Sequence, residues 1–202
     1  DKVIINGDHD GEAYIVALDQ KTGREIWKTP RPNKTRSYCT PLLRTIDGRN
    51  QLILSGSKSV ASYDPDTGKQ HWIIDGPTDQ FVASLVYDEK YLYMTCGFPT
   101  KHMMAIDPTG SGNVTETHVI WRTRKDASYV PSPVVVDGYY LAVSDSGTGT
   151  CRKAREGELL WDAKIGREHS ASLVVLRNHV IFSSEEGIIT VVKPGKEFQK
   201  VS

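Results

Sequence analysis

Acidic side chains mark the two stretches where this sequence offers ion chemistry. Asp8, Asp10 and Glu12 alternate along one short stretch, the spacing of a weak Ca²⁺ loop. The simpler reading is a solvated hairpin turn. The run from Asp64 to Asp75 imitates a twelve-residue Ca²⁺ loop more closely, but it fails at two positions. Lys69 stands where the sharp turn needs glycine, and Asp75 stands where a bidentate glutamate closes the shell. The histidines at 9, 71, 102, 118, 169 and 179 show no HExxH or paired spacing. Gly147-Thr148-Gly149 lacks the third glycine and the following helix of a dinucleotide loop. No Walker sequence and no G-x-S-x-G nucleophile elbow occurs. No catalytic residue and no metal ligand set is assigned. Asn33-Lys34-Thr35 and Asn113-Val114-Thr115 match the glycosylation pattern and are read as coincidence.

Bulk chemistry narrows the partners. Twenty-five basic residues balance 25 acidic ones, so electrostatics give no case for nucleic acid or an anionic membrane. No apolar run approaches the roughly 18 residues of a transmembrane segment. Cys39, Cys96 and Cys151 are odd in number and far apart, which forbids a complete internal disulfide framework. They read as small apolar strand residues. The chain opens at Asp1 without an initiator methionine or signal peptide, and the expectation is that a preceding piece is missing.

The elements that position these residues repeat. ALDQKTGREIW ends at Trp27, SYDPDTGKQHW at Trp72 and CRKAREGELLW at Trp161. Each places glycine four residues before tryptophan: Gly23, Gly68 and Gly157. A longer copy runs from Asp107 to Trp121 with six extra residues, and a degenerate one ends at Phe198. Asp, Pro and Gly at these corners are turn formers between apolar runs, as in a β-hairpin. A second marker, a small residue, Ser or Thr, Pro or Leu, then an aliphatic, recurs with its hydroxyl at Thr40, Ser84, Ser132 and Ser172. Hydroxyl spacings of 44, 48 and 40 track tryptophan spacings of 45, 49 and 40. Periods of 40–50 residues with strand content indicate propeller blades.

The reading is all-β, without sustained helical periodicity. It gives a propeller of four-stranded antiparallel blades at about 37–75, 80–124, 129–165 and 169–202, with a partial blade at 1–29 that lacks its innermost strand. Each sheet alone leaves two edges and two faces open. Radial stacking removes this, with Trp27, Trp72, Trp121 and Trp161 filling space between blades. In that arrangement the residues just before the innermost strands approach the axial funnel: Arg36 and Tyr38, Gln80 and Phe81, Tyr129, Glu168 and His169. One aromatic or imidazole per blade beside polar groups suits a ligand or peptide. The plainer reading is that inter-blade loops are polar anyway.

Ala17 to Trp27 matches alanine-x-Asp-x-x-Thr-Gly-x-x-x-Trp throughout, and the copy at Trp72 nearly so. This resembles the blade repeat of the PQQ-type, quinoprotein dehydrogenase-like propellers. The resemblance implies an eight-bladed ring, of which this chain is about five-eighths. Catalytic members hold PQQ and Ca²⁺ with a vicinal Cys-Cys disulfide, and no adjacent cysteines occur here. The expectation is therefore the BamB-like branch: a non-catalytic scaffold with no cofactor, binding a protein partner or another copy through open blade edges, in the periplasm or otherwise outside the cytoplasm. PQQ with Ca²⁺ enters only under the alternative, a fragment of an alcohol or sugar dehydrogenase. A second alternative is an adaptor or sensory propeller attached to another domain.

Overall fold

The computed structural model describes residues 1–202. All regular structure is strand, and no helix is long and apolar enough to cross a membrane. The corner chemistry is visible at once. Asp64 Oδ1 accepts the amides of Asp66 and Thr67, both at 2.8 Å, and Gly68 N donates to Asp64 O at 2.8 Å. Asp19 does the same for Thr22 (2.7 Å) and, through its carbonyl, for Gly23 (2.9 Å). The side chain thus imitates a backbone turn while glycine takes the left-handed conformation, with φ near +70° at both positions.

The first sheet holds β1 (Lys2–Gly7), β2 (Tyr14–Asp19) and β3 (Glu25–Pro30) in that order. The second holds β4 (Leu42–Ile46), β5 (Arg49–Gly56), β6 (Ser59–Tyr63) and β7 (Gln70–Asp75). The third holds β8 (Val86–Tyr87), β9 (Leu92–Gly97), β10 (Lys101–Ile106) and, after the short β11 (Gly112–Asn113), β12 (Val119–Thr123). β13 (Val134–Val136), β14 (Tyr139–Val143), β15 (Thr148–Lys153) and β16 (Leu159–Lys164) make the fourth. β17 (Val174–Leu176), β18 (His179–Ser183), β19 (Ile189–Lys193) and β20 (Gln199–Lys200) make the fifth. Each is an up-and-down antiparallel meander. Apolar clusters lie between successive sheets, so the core is shared across them.

Two details differ from the sequence expectation. The Ser/Thr marker residues are not in the innermost strands but just before them, leaving β8, β13 and β17 only two or three residues long. The marker hydroxyls instead link blades: Ser84 N donates to Ser132 Oγ (2.9 Å), and Ser132 N to Ser172 Oγ (3.1 Å). The six-residue extension before Trp121 also has a place. It forms β11, which pairs parallel to β7 at Gly112–Trp72 and Asn113–Ile73, so the second sheet has five strands. An outer edge that would stand open is thereby covered.

Up-and-down connectivity gives the array two ends. At one, the turn end, lie the glycine corners and the turns joining first to second strands. At the other, the loop end, lie the blade-to-blade crossings and the turns joining second to third strands.

Candidate functional site

The tryptophans act at the turn end. Trp27 Nε1 donates to Pro65 O (3.1 Å) and Trp121 Nε1 to Ala154 O (2.7 Å); Trp161 Nε1 donates to Gly195 O (3.1 Å) and its ring meets Phe198 edge-on. In each case the acceptor is the corner of the following blade. A Cβ on Gly68 would come within 2.5 Å of the Trp27 ring, and one on Gly157 within 2.6 Å of Trp121. Gly23 has no such neighbour. Trp72 differs, because the corner it would meet carries the extension. Its indole donates to Gln51 Oε1 of its own blade (2.8 Å), and Gln51 Nε2 passes the link on to Pro108 O (2.9 Å). These groups hold blades together and leave nothing free for a ligand.

The loop end offers more. Tyr38 is 59% exposed although its amide is fixed to Phe81 O (2.9 Å). Phe98, at the β9–β10 turn, is 55% exposed, while its carbonyl is held by the Thr78 hydroxyl (2.7 Å) and by the amides of Asp79 and Gln80. Tyr129 OH donates to Gln80 Oε1 (3.0 Å). Arg36 is exposed and ion-paired with Asp10; that carboxylate, and to a lesser degree Tyr38, raises its already high pKa. Aromatic side chains on pinned backbones thus stand beside paired polar groups.

Next to them lies a groove of about 580 Å³ bordered by Lys101, Asp145, Lys164, Glu168 and His169. Asp145 receives Lys101 Nζ (2.6 Å) and the amides of Tyr129 and Val130. Burial pushes its carboxyl up, but these three donors outweigh it and leave it below the usual carboxylate range. Glu168 is exposed, whereas His169 is only 3% exposed and burial lowers its pKa.

The sequence candidates therefore divide. Arg36, Tyr38, Gln80, Tyr129 and Glu168 reach the loop-end surface. Phe81 does not. Its backbone makes a parallel bridge with Ser37, and its ring is fully buried in the core. His169 borders the groove as a buried, neutral imidazole. Phe98 and Lys101 carried no sequence signal, because their turn has no counterpart in the other blades. Asp145 did have one: Ser144-Asp145-Ser146-Gly147 returns as Ser184-Glu185-Glu186-Gly187, with the same turn hydrogen bonds, and the sequence reading did not use it. The acidic stretch at Asp8 is no cation loop. Asp8 is buried against Arg31 (2.6 Å) and Ser37 (2.7 Å), and Arg31 also reaches Tyr63 OH and Gly56 O. Asn113 likewise donates its amide to Asp75 (2.7 Å).

No three His, Cys, Asp or Glu side chains converge to hold a metal ion. All three cysteines are free and buried, and burial pushes the Cys39 thiol up to about 11.

No curated protein matches the chain in sequence. Among solved structures, it is similar to BamB from Moraxella catarrhalis (TM-score 0.66, 17% identity), over 100% of this chain and 57% of that one. It is also similar to the computationally designed Ika8 protein (TM-score 0.67, 14% identity, 94% and 54% covered) and to the designed Ika4 protein (TM-score 0.59, 14% identity, 79% and 90% covered). The chain thus spans little more than half the length of the first two. These likenesses give the fold, a β-propeller. The family described as outer membrane protein assembly factor BamB matches residues 1–146, and with repeat, fold and family match in agreement, the chain belongs to the BamB-type branch of the PQQ-like propeller repeats.

Proposed function

We propose that this chain is a non-catalytic propeller scaffold that binds a protein across its loop end, outside the cytoplasm, in the assembly of outer-membrane proteins. The observation that carries the reading is the pairing of exposed aromatics with anchored backbone: the Tyr38 amide is held by Phe81 O, and the Phe98 carbonyl by Thr78, Asp79 and Gln80. Aromatic anchors that lose little entropy on contact, ringed by paired polar groups, are what protein interfaces use. The family description supports the assembly role and the compartment.

We extend the proposal to a larger ring of about eight blades. Val3, Ile5 and Ile26 on the first sheet and Ile189 on the last are exposed, as residues awaiting neighbouring sheets would be.

The dehydrogenase alternative is separated by loading the protein with PQQ and Ca²⁺ and following alcohol or sugar oxidation with an artificial acceptor. The scaffold reading expects neither a stoichiometric quinone spectrum nor turnover. Both together would overturn it.

A further inference from the structure

At the loop end the fourth and fifth blades repeat one another at a spacing of 40 residues. In Ser144-Asp145-Ser146-Gly147 and in Ser184-Glu185-Glu186-Gly187 the glycine amide closes on the serine carbonyl, at 2.8 and 3.0 Å. The crossings ahead of these turns correspond in the same way, with His169 in the place of Tyr129 and Ser170 in that of Val130. Asp145 and Glu185 are therefore equivalent, but their surroundings differ. Asp145 receives the ammonium of Lys101, the first residue of β10 (2.6 Å), and the amides of Tyr129 and Val130. The next third strand, β15, opens with Thr148 and supplies no cation. The His169 amide is engaged by Asp145 O (3.0 Å). Glu185 stays exposed, its carboxylate without ion pair or hydrogen bond. All three donors to Asp145 precede it in the chain, and the matching stretch ahead of Glu185 is on the page, so the difference lies within these two blades.

The rest of the groove between them divides the same way. Its cations are engaged: Lys101 by Asp145, Lys164 by Ser146 O and Arg167 by Glu186 (3.7 Å). Its acceptors are open. Glu168 is exposed and unpaired like Glu185. His169 is buried, its ring borders the groove, and Nδ1 has no partner. Burial holds the imidazole neutral, so one ring nitrogen keeps a lone pair for an N–H donor. The charges that act on that ring are two carboxylates, Glu186 and Glu185, against one ammonium, Lys164.

We propose that this groove receives a lysine side chain of the bound protein, its ammonium pairing with Glu185 as Lys101 pairs with Asp145, beside Glu168 and the imidazole of His169. The inference rests on the loop-end reading and gives that interface a charge preference. Lysine is the occupant because the chain already sets one against the equivalent carboxylate. An ammonium carries three donors and no acceptor, which suits a wall whose open groups are all acceptors. Charge complementarity of this kind steers encounter and fixes register.

The test uses the whole chain and the blocked pentapeptide GGKGG at low salt. Titration followed by ¹⁵N NMR should move the Glu185 amide and the His169 ring signals saturably. Acetylating the lysine should abolish the shifts. Glu185→Gln should weaken binding about fivefold, the upper worth of an exposed ion pair, whereas Asp10→Asn, elsewhere on the loop end, should leave it unchanged. The proposal is overturned by the absence of saturable shifts, by an acetyl-lysine or glutamate peptide that binds as well, or by Glu185→Gln without effect. Photo-crosslinking from Tyr38 or Phe98 separates the two readings. Crosslinks without peptide binding overturn the lysine site and leave the loop-end reading standing. Peptide binding without crosslinks overturns the loop-end reading and, with it, the assignment of the lysine to a protein partner.

Discussion

Trp72 donates its indole N–H to Gln51, a residue of its own blade, and Gln51 in turn donates to Pro108 in the next. Elsewhere the indole reaches the next blade directly. Gln51 Oε1 also accepts from Ser62 Oγ at 2.7 Å, so one fully buried amide serves three partners. Gln51→Ala strands two donors, Trp72 Nε1 and Ser62 Oγ, away from water, while Pro108 O keeps the Arg49 guanidinium at 3.4 Å. At about 1–3 kcal/mol for a buried orphan, the expected loss is about 3 kcal/mol in chemical denaturation. A loss below about 1 kcal/mol would mean that the relay is not structural.

The glycine corners separate backbone strain from docking. Gly23, Gly68 and Gly157 share φ near +70°, but only Gly68 and Gly157 sit under a tryptophan. Gly23→Ala should cost about 1 kcal/mol, the penalty of a left-handed alanine. Gly68→Ala and Gly157→Ala should cost about 2 kcal/mol more, in the range of overpacked sites. Equal losses at all three positions, measured by urea titration, would remove the docking account.

Two ion pairs in the same region predict opposite outcomes. Asp8 and Arg31 are buried and share partners with Tyr63, Gly56 and Ser37, whereas Asp10 and Arg36 are exposed. Asp8→Ala leaves a buried guanidinium and should destabilise by about 3–5 kcal/mol. Asp10→Ala should change stability by less than about 1 kcal/mol. Thermal melts of the two variants make the comparison.

His102 gives the fold an acid limit. Its ring is 1% exposed with both nitrogens unpartnered, and burial, aided by Arg122 and Arg124, lowers its pKa to about 4. The unfolded chain takes up that proton near pH 6.5, and the folded chain only near 4. Stability is therefore full above about pH 6.5 and falls as pH drops toward 4, by up to about 1.4 kcal/mol per unit. His102→Leu should flatten that limb in denaturation curves collected from pH 7 to 4. His169, lowered in the same direction, leaves some slope behind.

Much of the architecture was legible because its signals are local and repeated. Asp–x–x–Thr–Gly makes a corner from its own side chains, and a tryptophan four residues later needs a place to pack. The marker serine was visible too, though its position before the strand was not, since an inter-blade hydrogen bond leaves no periodicity in one blade. Phe81 was misplaced because a parallel bridge to Ser37 turns it inward, and such a bridge depends on a partner 44 residues away. Asp8 read as a solvated acid because Arg31, its partner, lies across a hairpin. The extension before Trp121 was countable as six residues, but its pairing with the preceding blade depends on three-dimensional adjacency. Phe98 sits on a turn unlike those of the other blades, so no repeat pointed to it, while the Asp145 turn returns once, at Glu185, too few copies to stand out beside the tryptophan corners.

Binding at the loop end is tested most directly by photo-crosslinking from single positions in cells that express the protein. Benzoylphenylalanine at Tyr38, Phe98 or Tyr129 should give one discrete protein adduct of common mass. The same probe at Asp47, Asp137 or Lys196, on the turn end, should give none. Adducts from the turn-end positions alone, or none from the three loop-end positions, would contradict the account.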